Sequence, residues 1–419
     1  MKFSDKVIFK NGYEENNFVG LKYEKGKVII FLPIGYNAQI FNTDKELSSE
    51  QKVDLLLLLK TVTLAKNIND EKTNFGKNIG NNYEIPYNSF IWIINDYFNN
   101  GLIQDIETKY FQRSHGKINW KKTINSEHYF EENGIIFINP YYNASVPTNT
   151  LITELNIYCI ETSFKYIGFL FGKTFIQKSN LTEEFIKNNK KYCLDVINKE
   201  LTKSFNDRKK LLLINMKRIL MLNSDGILDV HRAYGTHRFE YAWEKMVNNT
   251  LGSKIDISKF FPNAYWNIQG KIEEDKAKLR PDSILLDVRS NKLYILDAKY
   301  YKYGITGNIS DLPHTNSIQK QITYGEHISN NPQMYGIKKN DIYNAFILPF
   351  NRQKEPFKCD DNIKYMGFAN SAWRNKQDNY NYEKISLLLV DTKYLIDCFY
   401  QKQKINLKKL IELIEKSSK

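Results

Sequence analysis

The feature that most constrains this chain is a pair of short apolar segments that each carry an aspartate at one end. The two segments are residues 283–286 and 293–296. Polar residues between them predict an antiparallel hairpin. With its turn centred between Arg289 and Ser290, the hairpin places Asp282 opposite Asp297, with Cβ atoms about 5 Å apart. The fold must therefore accommodate two neighbouring carboxylates at one edge of a sheet.

Lys299 adds a cation to the same cluster, because alternate side chains of a strand point to the same face. Two facing carboxylates repel each other unless a cation lies between them. Mg²⁺ binds one or two protein carboxylates and completes its octahedron with water and phosphate oxygens. It polarises a phosphodiester and activates a bound water, while a lysine stabilises the developing charge. The pattern predicts a Mg²⁺ site, with Mn²⁺ as a substitute; the alternative is a hairpin end that carries solvated charges.

Two helices can supply further groups to this site. The helix predicted from residue 238 to about residue 251 places Glu240 and Glu244 on one face, and we expect Glu240 to be the additional carboxylate. A later helix carries Gln321 and Tyr324, either of which can hold a metal-bound water or a DNA phosphate. The alternatives are an ordinary solvated face for the first helix and a polar surface turn for the second.

The net charge of +13 is distributed unevenly along the chain. Residues 1–200 carry a net charge of +1, whereas residues 201–419 carry +12. The second part is therefore expected to attract a polyanion, although a lysine-rich composition without functional meaning is the alternative. One dense basic cluster in the first part, which we call the cationic cluster, predicts contact with DNA or with a protein partner. Its members are Arg113, Lys117, Trp120, Lys121 and Lys122.

Several protein classes are excluded by the sequence. The longest apolar run, residues 55–59, has five residues, whereas a membrane helix needs about 20. The four cysteines are widely spaced, which argues against a zinc site or a disulfide framework and predicts a reduced, cytoplasmic protein. Residues 168–174 resemble a P-loop but have three residues between the glycines instead of four. We interpret them as a helix end, so a nucleotide-driven motor would be a separate chain.

The element pattern predicts an α/β protein with two domains. Residues 1–200 are expected to form an α+β domain with a hairpin over 18–33, a helix capped by Ser48 or Ser49, and helices between about 148 and 222. Residues 201–419 are expected to form a sheet framed by helices. Predicted strands of that domain are 264–272, 282–288, 292–300, 341–349, 362–368 and 385–390, and predicted helices are 238–251, 315–328, 391–402 and 405–416.

Arg280-Pro281-Asp282 followed by Asp297-Ala298-Lys299 resembles the motif of the PD-(D/E)xK nuclease superfamily. More narrowly, the chain resembles the nuclease subunit of McrBC-type, GTP-dependent restriction systems, including the LlaJI family. Residues 115–124 are similar to a Gly-basic-Ile-x-aromatic-x-x-Thr-Ile element of McrC-like proteins, and residues 18–23 also look LlaJI-like. The resemblance runs from about residue 110 to the C-terminus.

This resemblance implies a restriction-endonuclease-like mixed sheet flanked by helices in the C-terminal domain. It implies that Asp282, Asp297 and the backbone carbonyl of Ala298 bind Mg²⁺ and that Lys299 is the catalytic lysine. Glu240 would be a further catalytic ligand, and Gln321 a further catalytic residue. Double-stranded DNA and a McrB-like AAA+ GTPase would be the partners, with the N-terminal domain docking onto the GTPase. A homodimer that forms during cleavage is a further alternative.

The leading hypothesis is a Mg²⁺-dependent DNA endonuclease that serves as the cleavage subunit of a bacterial restriction or defence system. One alternative is a non-catalytic DNA-binding or assembly subunit that has kept a nuclease fold. Another is a nuclease that acts alone in repair or transposition. The presence of both aspartates and the lysine argues against a decayed site.

Overall fold

The computed structural model describes most of the chain, and the fold is given for those residues only. They are residues 7–41, 46–66, 83–112, 116–132, 134–172, 175, 177–222, 232–274, 279–373, 380–401 and 405–416. Arg113 of the cationic cluster lies outside the described residues.

The strands alternate with helices along the chain, as expected for a mixed α/β protein. The strands are β1 (Val7–Asn11), β2 (Val19–Glu24), β3 (Lys27–Leu32), β4 (Tyr83–Glu84), β5 (Asp105–Gln112), β6 (Lys117–Ile118), β7 (His128–Glu131), β8 (Gly134–Phe137), β9 (Tyr141–Thr148), β10 (Arg232–Thr236), β11 (Tyr265–Ile268), β12 (Lys271–Glu274), β13 (Ser283–Asp287), β14 (Lys292–Ala298), β15 (Ile342–Phe350), β16 (Ile363–Ala369) and β17 (Ile385–Asp391).

The longer helices agree with those predicted from the apolar periodicity, whereas the four-residue helices were not predicted. They are α1 (Ala38–Phe41), α2 (Ser49–Lys66), α3 (Tyr87–Asn100), α4 (Trp120–Thr123), α5 (Leu151–Ile167), α6 (Glu183–Asn188), α7 (Lys190–Lys203), α8 (Asp207–Leu222), α9 (Phe239–Leu251), α10 (Tyr303–Thr306), α11 (Thr315–Ser329), α12 (Pro332–Tyr335), α13 (Thr392–Gln401) and α14 (Leu407–Glu415). Ser48 caps α2, because its Oγ accepts a hydrogen bond from Gln51 N at 3.2 Å.

The chain divides into two compact units, and the division differs from the predicted boundary near residue 200. The first unit comprises residues 1–84 and 229–419, and the second comprises residues 85–228. The first unit is discontinuous because β2 pairs with β10, which joins strands more than 200 residues apart into one sheet. Hydrophobic periodicity identifies each strand but carries no information on a partner so far away in sequence.

One sheet of the first unit has the strand order β1-β3-β2-β10-β4. Its β2 and β3 form the antiparallel hairpin predicted over residues 18–33. The pairing of β2 with β10 brings Gly20 beside Gly235. A Cβ atom on Gly20 would lie 2.2 Å from the carbonyl oxygen of Tyr234, so the two strands approach more closely than a larger residue would permit.

The second sheet of this unit, here called the central sheet, has the order β13-β14-β15-β17-β16. Strands β14, β15 and β17 are parallel, and β13 and β16 pair antiparallel at the two edges. All nine residues of β15 are buried, as expected for a strand covered on both faces. Ser283 pairs with Leu296 and Asp287 with Lys292, which confirms the register predicted for the hairpin.

The run 264–272 was predicted to be one strand, and that prediction is wrong. It forms most of a separate hairpin in which β11 and β12 are joined by the two residues Gln269 and Gly270. Both have positive φ, 52° and 81°, as the central residues of a type I′ turn require. Gln-Gly does not indicate such a turn in the sequence, because Gln rarely adopts positive φ.

Residues that follow β3 are bonded to the central sheet. Ile34 N donates to Tyr300 Oη at 2.8 Å, and Thr392 Oγ1 donates to Ile34 O at 2.9 Å. Tyr300 follows β14 directly and Thr392 is the first residue of α13. The N-terminal strands are therefore fixed to the same sheet that carries the predicted site.

The second unit combines helices with a small sheet of order β5-β9-β6 and the separate hairpin β7–β8. Helix α3 packs on α5 and α8, and the guanidinium of Arg208 binds the carboxylate of Asp96 through two bonds of 2.8 and 3.0 Å. Helix α5 precedes residues 168–170, so a helix and not a strand leads into the P-loop-like segment, as predicted. Among the described residues, no helix is both long and apolar enough to cross a membrane.

We predict that Gly35→Ala destabilises the protein much more than Gly26→Ala. Both glycines have positive φ, +91° and +79°, but only Gly35 is crowded: its added Cβ would lie 2.0 Å from Thr392 Oγ1. The Gly26 variant should lose about 1 kcal/mol from backbone strain, and the Gly35 variant about 1–3 kcal/mol more from overpacking. Urea unfolding measures both, and equal losses would contradict the contact.

Candidate active site

The two predicted aspartates meet where β13 begins and β14 ends. Asp297 belongs to β14 and is 3% exposed, whereas Asp282 lies one residue ahead of β13. The backbone N–H of Ala298 donates to Asp282 Oδ2 at 2.8 Å, which fixes the Asp282 carboxylate across the hairpin. Burial, the charge of Asp297 and the charge of Glu244 raise the pKa of Asp282 well above its usual value.

Lys299 neutralises part of this charge. Its Nζ lies 2.6 Å from Asp297 Oδ2, and its side chain is 17% exposed. The backbone N–H of Lys299 donates to Ile347 O at 2.9 Å, so β15 positions the residue. Burial would lower the pKa of Lys299, but the carboxylates of Asp297 and Asp282 outweigh burial and raise it. The lysine is thus a cation at neutral pH, within reach of both aspartates.

Helix α9 presents Glu244 to the cluster. Burial comes first among the causes that raise the pKa of Glu244, and the charges of Lys299 and Asp297 act on it in opposite directions. Glu244 in turn raises the pKa of Asp282. Glu240, the residue chosen from the sequence, lies one turn earlier and acts on Glu244 and on Tyr300. The structure thus brings Glu244 into the electrostatic environment of the aspartates.

Gln321 is fully buried, so the alternative of a polar surface turn is wrong. Its Nε2 donates to Ile295 O at 2.9 Å and to Asn344 Oδ1 at 3.2 Å. Asn344 Nδ2 returns a bond of 3.0 Å to Gln321 O. Gln321 therefore ties α11 to strands β14 and β15 beneath the aspartates, while its Oε1 has no partner among the described residues.

Tyr324 and Lys320 bring α11 to the site itself. Tyr324 Oη donates to the carbonyl of Arg280 at 2.7 Å, two residues before Asp282. Burial and then the charges of Asp297 and Asp282 raise the pKa of this phenol, so its proton stays in place. Lys320 Nζ lies 5.8 Å from the Tyr324 ring centroid and its charge acts on Glu244. Sequence reasoning missed Lys320, because one lysine on a helix carries no distinctive pattern.

The donor set can be compared with the needs of a metal ion. Within the described part of the chain, no three His, Cys, Asp or Glu side chains form a cluster that would hold a metal by themselves. Mg²⁺ does not require such a cluster, because it commonly uses one or two carboxylates and keeps several waters. Asp282 and Asp297 supply such carboxylates, and the Ala298 carbonyl is the third oxygen expected from the resemblance. A cation there would offset the charge repulsion from Asp297, which raises the Asp282 pKa after burial, the larger cause.

The described members of the cationic cluster lie in the second unit and are exposed. Trp120 is 56% exposed at the start of α4, and Lys117, Lys121 and Lys122 are exposed around it. Lys122 Nζ lies 4.6 Å from the Tyr110 ring centroid. Close by in sequence, β7 and β8 expose Tyr129, Phe130, Ile135 and Ile136.

Comparison with known proteins identifies a family and a similar solved structure. The model of the family described as LlaJI restriction endonuclease matches residues 18–394. The chain is also similar, at 11% identity and a TM-score of 0.34, to a chain of a solved assembly. That assembly is a half-complex from the tetradecamer of Thermococcus gammatolerans McrB AAA+ hexamers with bound McrC, and the match covers 94% of this chain and 82% of that one. No curated protein matches.

We predict that Asp282→Asn stabilises the metal-free protein at pH 9. The pKa of Asp282 is raised in the folded state, so an ionised Asp282 destabilises the folded protein. This destabilisation is absent below the pKa of the unfolded state and grows as the pH rises towards the pKa of the folded state. Asparagine keeps an oxygen for Ala298 N–H and removes the charge. Thermal melts in EDTA should show a gain of at least about 1.4 kcal/mol, the equivalent of one pKa unit, and little gain at pH 4.

Asp287→Asn is the matched control on the same hairpin. The hydroxyl of Ser290 holds the pKa of Asp287 below its usual value, so the charge on Asp287 favours the folded state. Removing that charge should therefore not stabilise the protein. A melting temperature of Asp282→Asn equal to that of wild type at pH 9 would contradict the repulsion between the two aspartates.

Proposed function

From membership of the LlaJI restriction endonuclease family, to which this chain belongs, we propose that it is a Mg²⁺-dependent DNA endonuclease that hydrolyses phosphodiester bonds in double-stranded DNA. The observation that carries the proposal is the convergence of Asp282, Asp297 and Lys299 at one end of the β13–β14 hairpin. Two carboxylates and a half-buried ammonium are the groups that a metal-assisted attack on a phosphodiester uses.

Each side chain has a distinct task in the proposed reaction. Asp282, Asp297 and the Ala298 carbonyl would hold the ion, which supplies Lewis-acid stabilisation and a more acidic bound water. Lys299 stabilises the charge that develops on the phosphate oxygens. Glu244 positions water beside the aspartates and takes the place we had expected for Glu240. Tyr324 positions Asp282 through the Arg280 carbonyl, and Gln321 secures the strand that carries Asp297.

We propose that the central sheet is a PD-(D/E)xK fold. Its support is the strand arrangement: the motif residues lie on an antiparallel hairpin, and the second strand of that hairpin continues into the parallel set β14, β15 and β17. Carboxyl ends of parallel strands are where ligands bind in open α/β sheets. Asp297 and Lys299 lie at that end of β14.

We further propose that the chain acts as the cleavage subunit of a restriction or defence system whose motor is a separate AAA+ GTPase. The support is the McrC-like resemblance of residues 115–124 and the exposure of Trp120 and the lysines around it. Exposed aromatic side chains such as Trp120 are enriched at protein interfaces. The docking surface would be the cationic cluster together with the β7–β8 hairpin.

We predict that Asp297→Asn and Lys299→Ala each lower the rate of DNA cleavage at least about a hundredfold, because each removes several kcal/mol of transition-state stabilisation. Cleavage of plasmid DNA is measured with the cognate GTPase and GTP present. DNA affinity in the presence of Ca²⁺ should change little. Full cleavage by both variants would refute the site.

The pair Glu244→Gln and Glu240→Gln tests the placement on α9 within the same assay. The two variants make the same chemical change one helical turn apart, so any general effect on the helix is shared. Glu244→Gln should reduce cleavage about tenfold or more, the effect of one positioned acid–base group at its lower end, and Glu240→Gln should be close to wild type. The reverse order would restore Glu240 as the further ligand.

We predict that cleavage requires Mg²⁺ or Mn²⁺ and that Ca²⁺ supports DNA binding with little turnover. Ca²⁺ is larger and tolerates irregular geometry, so it can occupy the carboxylates without aligning the attacking water. Plasmid cleavage and DNA binding are measured side by side in each ion. Undiminished cleavage in EDTA would contradict a metal-dependent reaction.

For the partner, we predict that the full-length double variant Trp120→Ala, Lys121→Glu loses at least about tenfold in affinity for the cognate AAA+ GTPase, since one aromatic anchor is commonly worth over 1 kcal/mol. Calorimetry measures the affinity. Phe205→Ala is the control, because Phe205 is 93% exposed in the same unit and lies outside the cluster. Equal affinity of both variants would exclude this surface.

A further inference from the structure

The first unit contains a cavity whose described lining includes no residue of the candidate active site, and we call it the acidic cavity. Its volume is about 550 Å³, within the range of about 300–1,000 Å³ that small-molecule sites commonly have. Residues 351–353 line it directly after β15, and Asp391, Lys393 and Tyr394 line it at the end of β17. Residues 35–37 and the start of α2 complete its wall. The cavity thus lies at the carboxyl ends of two parallel strands, where open α/β sheets commonly bind ligands.

An excess of negative charge lines the acidic cavity. Among the described residues, its lining holds four carboxylates and two cations, a net charge of −2. The carboxylates belong to Glu50, Asp54, Asp391 and Asp397, and the cations to Arg352 and Lys393. The whole chain carries +13, so this local excess is opposite in sign to the charge of the protein as a whole. A cavity of this charge favours a cationic ligand over an anionic one.

Contacts between elements hold the walls of the acidic cavity in place. Lys393 Nζ lies 2.9 Å from Glu50 Oε1 and 2.8 Å from Asp54 Oδ2, which joins α13 to α2. Both oxygens of Asp391 accept backbone N–H groups at 2.9 Å. Three of the four carboxylates therefore have partners, and the cavity is formed without a ligand.

The fourth carboxylate, Asp397, lines the cavity without an ion pair or a hydrogen bond in the part of the chain that the structure describes. Burial raises the pKa of Asp397, and the charge of Asp54 raises it further. Asp54 and Asp397 thus repel each other, and a bound cation would relieve that repulsion.

Tyr36 brings a second unsatisfied group to the cavity. The residue lines the cavity and is only 7% exposed, yet its hydroxyl forms no hydrogen bond with any described residue. Burial and then the charges of Asp54, Asp397 and Asp391 raise the pKa of this hydroxyl, so it keeps its proton and lies near the carboxylates. Buried polar atoms are rarely left without a partner. Together, Asp397 and the phenol oxygen offer hydrogen-bond acceptors to a ligand that brings N–H donors.

The geometry of the lining distinguishes among cations. Over the described ranges, no three His, Cys, Asp or Glu side chains are close enough together to hold a metal ion. The unsatisfied acceptors lie on different elements, Asp397 on α13 and Tyr36 after β3, so a ligand needs several donors that point in different directions. A guanidinium has five N–H donors, is weakly hydrated and stacks on aromatic rings. The rings of Tyr36 and Phe41, stacked with centroids 6.5 Å apart, belong to the same lining.

We propose that the acidic cavity binds a guanidinium group, which Asp397 holds by a charge-assisted hydrogen bond and Tyr36 by its phenol oxygen. The source of the group is either a small guanidine or an arginine side chain of a protein partner. The inference goes beyond the proposed nuclease function and does not depend on it, because the acidic cavity and the candidate active site share none of the described lining residues.

The test is a calorimetric titration of the full-length protein with ethylguanidinium and, as a neutral control of nearly the same shape, with ethylurea. Wild type should bind ethylguanidinium and give no saturable signal with ethylurea. Asp397→Asn should weaken ethylguanidinium binding at least about tenfold, the effect of losing one hydrogen bond to a charged group. Asp341→Asn is the matched control, because Asp341 directly precedes β15 at the amino end of that strand; it should bind like wild type.

Tyr36→Phe separates contact with the ligand from folding. It removes only the hydroxyl, so the ligand-free variant should melt like wild type, while ethylguanidinium should bind about fivefold more weakly for want of one neutral hydrogen bond. A blocked glycyl-arginyl-glycine peptide distinguishes the two sources of the group. Binding of the peptide as tight as that of ethylguanidinium supports an arginine side chain, and binding of ethylguanidinium alone supports a small guanidine.

Several results would overturn the guanidinium site. They are the absence of saturable ethylguanidinium binding, an equal affinity of wild type for ethylurea, and an equal affinity of wild type and either variant, Asp397→Asn or Tyr36→Phe, for ethylguanidinium. Displacement of ethylguanidinium by Mg²⁺ at constant ionic strength would assign the acidic cavity to a metal ion instead and would also overturn the proposal.

Discussion

The burial of Asp282 beside Asp297 is the constraint that the surrounding elements of the first unit must satisfy. The hairpin register forces the two carboxylates together, and burial prevents water from screening them. Neighbouring groups offset the free-energy cost of burying the two aspartates. The Ala298 N–H donates to Asp282 and Lys299 forms an ion pair with Asp297. Gln321 donates to the Ile295 carbonyl on the strand that carries Asp297. A site with this composition is held in place by its neighbours and is itself a source of instability, as is common where chemistry is performed.

The strands near the N-terminus belong to this supporting structure. Ile34 bonds Tyr300 and Thr392, and Tyr300 packs against Phe239 and Trp243 at the start of α9. Trp243 Nε1 reaches Ile347 O at 3.2 Å, the same carbonyl that accepts the Lys299 N–H. The N-terminal sheet, helix α9 and the β13–β14 hairpin are thereby joined around one carbonyl group of strand β15.

The local sequence was sufficient to predict most helices and strands and the convergence of Asp282, Asp297 and Lys299. The hairpin register followed from the two apolar runs and their turn, and helices α2, α9 and α11 followed from periodicity and capping. What could not be read was which distant segments pair: nothing local shows that β2 joins β10. Helix spacing put Glu240 and Glu244 on the same face but gave no rotation of the helix relative to the sheet, so the position of Glu244 near the aspartates could not be predicted. The burial of Gln321 could not be predicted either, because its hydrogen-bond partner Asn344 lies 23 residues away in sequence.

The bond between Thr392 and Ile34 spans 358 residues of sequence, and this has a consequence for synthesis on the ribosome. Strands β1–β3 emerge first, yet the sheet and helix that complete their surroundings are made last. Residues 85–228 form a compact unit of their own, and such a unit can fold while the rest of the chain is still being translated. The candidate active site gains its full support only when translation has passed α13. A chain released before α13 has been made would then lack an assembled site.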